Sequence, residues 1–291
     1  MKFLAFLLFA MLALLPIRNS SAQSVALSLG VEPSQPVNGS PVLFRVQSDK
    51  PLKSLSGLWL GHRVFFEFDS ASGAWCGFAG VELGTAAGAH QLKLEYVSTS
   101  GARSTSVQNV TVAQGFYQSG TLTVDDKFLK PDADAQVRIK QERVLKREVF
   151  SRTGKLRLWK GGFVAPVDNI VTEPFGVRRI FNGKHSSTHQ GLDFRAALGT
   201  PVRAMNSGDV ILARQMFYEG GLVVINHGHG LLTLYLHLSE FKTKEGSRVG
   251  KGQVIGLSGA TGRVTSEHLH VAVRWQGTYL DPATLLNLKL P

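Results

Sequence analysis

The sequence predicts a mainly β protein: an N-terminal immunoglobulin-like β-sandwich, a basic and partly helical linker, and a C-terminal antiparallel β-sheet domain. Three observations predict it. Short runs alternating apolar and polar residues recur from residue 24 to 114 and again beyond Phe163. Turn residues, glycine above all, separate those runs. Long helical patterns do not alternate with the strands, which disfavours a βαβ fold. A length of 291 residues suits about two domains of roughly 100–150 residues each.

Residues 1–22 read as a secretory signal peptide. Lys2 supplies the positive start, and Phe3 to Leu15 is an unbroken apolar run too short to cross a bilayer of about 30 Å as a helix. Pro16 ends the run, and Ser20 and Ala22 predict cleavage before Gln23. No other segment reaches membrane-spanning length, so an exported mature chain without a membrane span is expected. Residues 23–115 form the sandwich. Val42 to Val46, Leu92 to Tyr96 and Val107 to Val112 alternate, and Pro36-Val37-Asn38-Gly39, Ser72-Gly73 and Thr99-Ser100-Gly101 supply turns. Strands at this spacing, about seven in all, suit an immunoglobulin-like topology. No chemical motif falls here, so a spacer or binding module is expected.

Residues 116–160 form the linker. Pro131-Asp132 opens a helical stretch to Arg152, with Val137, Val144, Leu145 and Val149 at about helical spacing among basic residues. Two readings stay open for it: a basic face that meets an anionic polymer, or a solvated helix joining two domains. Residues 161–291 form the second β domain. Val210 to Leu212, Leu222 to Ile225, Leu231 to Leu236, Gln253 to Leu257 and His270 to Trp275 read as strands. His227-Gly228-His229-Gly230 reads as a turn between two of them, and Asn182 to Thr188 as an exposed loop.

Composition narrows the chemistry. Hydrophobic residues at 43% and charged residues at 18% exclude whole-chain disorder. A single cysteine, Cys76, excludes both a disulfide scaffold and a thiolate zinc cluster, so any metal must be held by His, Asp or Glu. The net charge of +11 points to an anionic partner. Residues 23–115 balance six basic against six acidic side chains, so the mature chain's excess lies wholly beyond residue 115. Nucleic acid is disfavoured as that partner, because basic and aromatic residues are not interleaved and the chain opens on a signal peptide.

Seven of the nine histidines lie from His185 onward. His189-Gln190-Gly191-Leu192-Asp193 pairs a histidine with a carboxylate on a loop entering a strand, since Gly191 disfavours a helix. His237 ends an apolar strand. His268-Leu269-His270 precedes an alternating run, so its two histidines share one face of a strand. Three protein ligands and one open position make a catalytic zinc site. His189, Asp193 and one of His268 or His270 meet that count. The other histidine of the pair, with His237, is left for proton transfer or oxyanion stabilisation. Spacing alone leaves open which of His268 and His270 binds metal.

Residues 163–290 resemble the lysostaphin-like (LytM-type) zinc metallopeptidases that cut peptidoglycan cross-links. The resemblance rests on ordered matches: Pro174-Phe175-Gly176-Val177-Arg178, His189 to Asp193, Gly199-Thr200-Pro201-Val202, Tyr235-Leu236-His237-Leu238-Ser239, Val249 to Gly256, Gly259 to Arg263, and His268-Leu269-His270. It implies a sheet domain of the duplicated-hybrid-motif type with its site in a groove. It also implies one Zn²⁺ per chain on His189, Asp193 and His270, with His237 and His268 as catalytic histidines. Peptidoglycan becomes the expected partner, in the periplasm or outside the cell, and a catalytically silent regulator of other wall hydrolases is the alternative. Leu198, Ser266-Glu267 and Val271-Ala272 depart from the family pattern, and none of them removes a site residue. In some relatives N-terminal regions cover the groove, so residues 116–160 or the sandwich are candidates for that role.

Overall fold

The computed structural model describes residues 25–152, 154, 156–183 and 185–291, so the stretch 1–22 read as a signal peptide lies outside the described residues. Seven antiparallel strands make the N-terminal unit: β1 (Leu27–Glu32), β2 (Pro41–Ser48), β3 (Leu52–Trp59), β4 (His62–Asp69), β5 (Ala74–Gly80), β6 (Gly88–Ser98) and β7 (Arg103–Val112). Their order is β1-β2-β5-β4-β3-β6-β7. β4 joins the two layers, because its first half pairs with β3 and its second half with β5. Alternation along the strands turns Phe44, Trp59, Leu92 and Leu94 into a shared core. Cys76 is a free thiol buried in that core.

The connecting segment holds β8 (Ser119–Leu122) and α1 (Ala133–Ser151), which is N-capped by the Asp132 side chain on the Ala135 amide. The C-terminal unit follows: β9 (Val171–Glu173), β10 (Arg178–Phe181), β11 (His185–Thr188), β12 (Leu192–Phe194), β13 (Pro201–Arg203), β14 (Gly208–Met216), β15 (Gly220–Gly228), β16 (Leu231–Leu238), β17 (Glu240–Phe241), β18 (Arg248–Val249), β19 (Val254–Leu257), β20 (Leu269–Trp275), β21 (Thr278–Leu280) and α2 (Pro282–Asn287). Its main sheet runs β18-β14-β15-β16-β20-β12-β9 with β21 on β20, beside small sheets β11-β10-β8 and β13-β19-β17. The expected turn at Gly228 to Gly230 is formed, with all three residues at positive φ.

β15 and β16 are buried along nearly their whole length, because both faces of the sheet are covered. Val223, Ile225, Leu231 and Tyr235 face the main core, while Leu222, Val224, Leu232 and Leu234 face a second cluster that Val149 of α1 completes. The helix packs on the sheet along one narrow side, while Arg138, Lys140, Arg143 and Arg147 stay exposed, so both readings of its basic face stay open. Of the four periodic residues, Val149 is buried and Leu145 half-packed, while Val137 and Val144 stay exposed. Helical spacing identified the helix, but the tertiary partner selected which side packs.

Two other expectations change. Asn182 to Thr188 is not an exposed loop: Asn182 and Gly183, at φ 48° and 70°, turn the chain so that β11 pairs back on β10. His268 precedes β20 instead of lying on it, held by a bridge to Gly259. Among the described residues one strand pair is parallel, β8 on β10, so the connecting segment supplies an edge strand to the C-terminal unit. The two β units also touch directly. Phe78 meets Trp159 and Trp275 edge-on, Phe65 stacks on His229, and the Gly39 carbonyl accepts from the Asp281 amide at 2.8 Å.

His227 is fully buried between the Ser207 carbonyl and the Thr233 hydroxyl, each at 2.8 Å. Burial pushes its pKa down to about 4. A histidine depressed in the folded state favours folding above its unfolded pKa of about 6.5, and that advantage is lost as pH falls through about 4. His227→Gln removes the titration. The stability gap between wild type and this variant should narrow by up to about 3 kcal/mol between pH 7.5 and pH 4. Urea unfolding at several pH values measures it, and a constant gap would refute it.

Candidate metal centre

Three strands in register bring the polar cluster together. Asp193 of β12 lies opposite His270 of β20 on one side and Glu173 of β9 on the other. His189 enters just before β12, its backbone tied to Gly176 and Val177 at 2.8 Å each. Gly191 permits the approach, because a Cβ there would stand 2.4 Å from His270 Nε2 and 2.5 Å from the Val271 carbonyl.

The donor atoms converge. His189 Nε2 is 3.1 Å from Asp193 Oδ1 and 3.0 Å from His270 Nδ1, and His270 Nδ1 is 2.7 Å from Asp193 Oδ1. His189 Nδ1–H donates to the Pro174 carbonyl at 2.7 Å, which fixes the tautomer and leaves a lone pair on Nε2. His270 Nδ1 carries at most one proton. That proton cannot serve both the lone pair on His189 and the carboxylate. The cluster is thus short of protons and suits a cation. Zinc at about 2.0–2.1 Å from N and O ligands keeps tetrahedral ligand atoms about 3.3 Å apart, close to these separations. The three residues are also the metal-holding group found among the described residues.

Electrostatics agree with a charged ligand set. Burial works against the charge on Asp193, and the imidazoles of His189 and His270 outweigh it, holding the carboxyl well below its ordinary range. Burial lowers the pKa of His270 and favours the neutral, ligating form. The sequence reading missed the groups behind this set. Arg179 Nη2 donates to Asp193 Oδ2 at 2.6 Å, and its Nε donates to Glu173 Oε2, also at 2.6 Å. Glu173 Oε2 in turn lies 3.3 Å from His189 Nδ1. Nothing in the local sequence marks these two residues, because they meet the cluster only through the sheet.

The other two predicted histidines face the same groove. Their rings are 4.9 Å apart, and His237 lies 6.1 Å from His270. His237 sits at φ 66°, its Nδ1–H donating to the Thr261 carbonyl at 2.8 Å. Burial, with His270 and His268 nearby, pushes its pKa down to about 3. His268 Nδ1–H donates to the Ser266 carbonyl at 2.9 Å. Both rings therefore present an Nε2 lone pair. The groove, about 620 Å³, runs from Leu122 and Val124 of the connecting segment past these histidines to Arg263.

Gly191→Ala should displace the His270 ring and weaken metal binding by roughly 10-fold or more. Competition with a chromogenic chelator measures it, and unchanged affinity would show that the close approach is not needed.

Residues 187–282 match Peptidase family M23. Peptidoglycan DD-endopeptidase ShyA of Vibrio cholerae is 40% identical over 129 residues, 43% of this chain and 29% of that protein. DD-carboxypeptidase/endopeptidase Mpg of Neisseria meningitidis is 40% identical over 134 residues, 45% of this chain and 31% of that protein. The chain thus spans about 30% of the length of these relatives. A Pseudomonas aeruginosa crystal structure assigned to peptidase M23 superposes with a TM-score of 0.66 at 25% identity, covering 87% of this chain and 95% of that one. The match to Peptidase family M23 falls on the C-terminal sheet, where the polar cluster lies.

Proposed function

We propose that the protein is an exported, zinc-dependent endopeptidase that hydrolyses peptide cross-links of bacterial peptidoglycan. In this reading His189 Nε2, Asp193 Oδ1 and His270 Nδ1 hold one Zn²⁺, and His237 and His268 handle protons. The observation that carries it is the convergence of three proton-poor donor atoms beside two imidazoles with free Nε2 lone pairs. Among the described residues no helix is long and apolar enough to cross a membrane. The names of the relatives supply the substrate class.

When bound, zinc supplies Lewis acidity toward water and toward a peptide carbonyl. The protein's residues do the rest. His237, kept neutral by burial, accepts a hydrogen bond at Nε2 from the attacking water and orients it. His268, less buried, takes that water's proton at Nε2 and returns it to the amide nitrogen as the C–N bond breaks. Water's hydroxyl ends on the carbonyl carbon and its proton on the departing amine. Arg179 keeps Asp193 anionic and oriented throughout.

Muropeptide analysis of purified sacculi tests the reading. The zinc-loaded chain should release cross-linked peptides as monomers, and a protein that neither binds zinc nor releases them would sink it. His270→Ala should lose both metal and activity. His237→Ala should keep its metal, seen by elemental analysis, and lose activity by roughly 100-fold or more. Equal metal loss in both variants would reject the division of roles.

A further inference from the structure

Arg263 lines the groove, and the mechanism above leaves its side-chain donors unused. Its guanidinium carbon lies 4.9 Å from the centre of the Phe181 ring and 5.0 Å from that of Tyr218. Stacking of this kind engages the flat face of a guanidinium and leaves its N–H edge free. Among the described residues no carbonyl or carboxylate accepts from that edge. The contrast with Arg179 is direct, since Arg179 is fully engaged by Glu173 and Asp193. Glu219, also in the groove, pairs with Lys146 of α1 through Oε1, and its buried Oε2 makes no hydrogen bond to the guanidinium. Half-burial costs Arg263 water without supplying a replacement, and burial lowers its pKa accordingly.

Its position is fixed relative to the metal cluster. The Arg263 amide donates to the Tyr218 carbonyl at 2.8 Å, and the His237 amide donates to the neighbouring Glu219 carbonyl at 2.9 Å. Two residues before Arg263, the Thr261 carbonyl holds the His237 ring. One turn, Tyr218-Glu219, therefore sets both the water-orienting histidine and the free guanidinium.

We propose that Arg263 is a specificity-determining residue that binds a free carboxylate on the substrate, next to the bond that is cut. A planar fork with two available N–H groups fits a carboxylate in bidentate fashion. Resting on the endopeptidase reading, this makes a preference: the residue that donates the scissile nitrogen carries an unblocked carboxylate. The same recognition serves a terminal residue or a cross-link, because both present that carboxylate beside the amide.

The test uses the full chain as purified and two probes, an acyl-D-alanyl-D-alanine peptide and its C-terminal carboxamide. Calorimetry reads binding, and mass spectrometry of the same samples reads cleavage. Wild type should bind the carboxylate roughly ten- to a hundredfold tighter than the carboxamide. Arg263→Met should bind the two alike while keeping wild-type circular dichroism. If that variant does not fold, Arg263→Lys decides, since it keeps the charge and loses the planar fork. A cut in preference supports the assignment, and an unchanged preference overturns it. Equal binding of the two probes by wild type also overturns it. So does a preference that survives Arg263→Met and disappears in Arg195→Gln, another arginine of the groove lining. An Arg263-dependent preference keeps this site whether or not the probes are cleaved, and failure of the same protein to release peptides from sacculi rejects the endopeptidase reading separately. Cleavage without preference rejects this site and keeps the endopeptidase reading.

Discussion

The register of β12 against β20 is the constraint on which the site depends. It sets Asp193 opposite His270, residues 77 apart in sequence, and brings His189 to both. A slip of one residue would turn Asp193 to the other face of the sheet and disperse the donor set. The register is held by burial on each side: Leu192 and Phe194 flank Asp193, and Leu269 and Val271 flank His270, all in the main core. The apolar neighbours in sequence thus position the polar residues between them. That placement has a cost, since a carboxylate in such surroundings loses its water. Arg179 and the two imidazoles offset it, and a divalent ion offsets more.

Much of the site was legible because its residue pairs are local. In His189 to Asp193 and His268 to His270 the spacing itself states the geometry, once a strand is assumed. His268 narrowly misses the strand, yet it still shares the groove with His237. Which histidine of the pair joins Asp193 was not legible from spacing, because cross-strand register is a property of two distant segments. Arg179, Glu173 and Arg263 were opaque for the same reason. Arg179 is ordinary beside Arg178 until β9, β10 and β12 are assembled, and Arg263 is ordinary until Phe181 and Tyr218 close on it.

The sandwich was legible from alternation alone, while the connecting segment was not. α1 gave a helical pattern, but its packed side came from the exposed face of β14 to β16 and β20, which needed a cover. Glu142 accepts from the Phe217 amide and Lys146 pairs with Glu219, so charges read as a solvated surface are spent on the sheet.

β8 gives the connecting segment a second role. Its parallel pairing with β10 runs from Ser119 to Leu122, and Asn182 locks the end by bonding both N–H and C=O of Val124. A fragment trimmed to the residues after Lys160 would lose this strand and leave β10 with a bare row of donors and acceptors. An open edge of that kind recruits other chains. Such a fragment is a different molecule, prone to self-association and lacking one wall of its groove. A change in its activity would report the missing wall and the exposed edge together, not the removal of a cover.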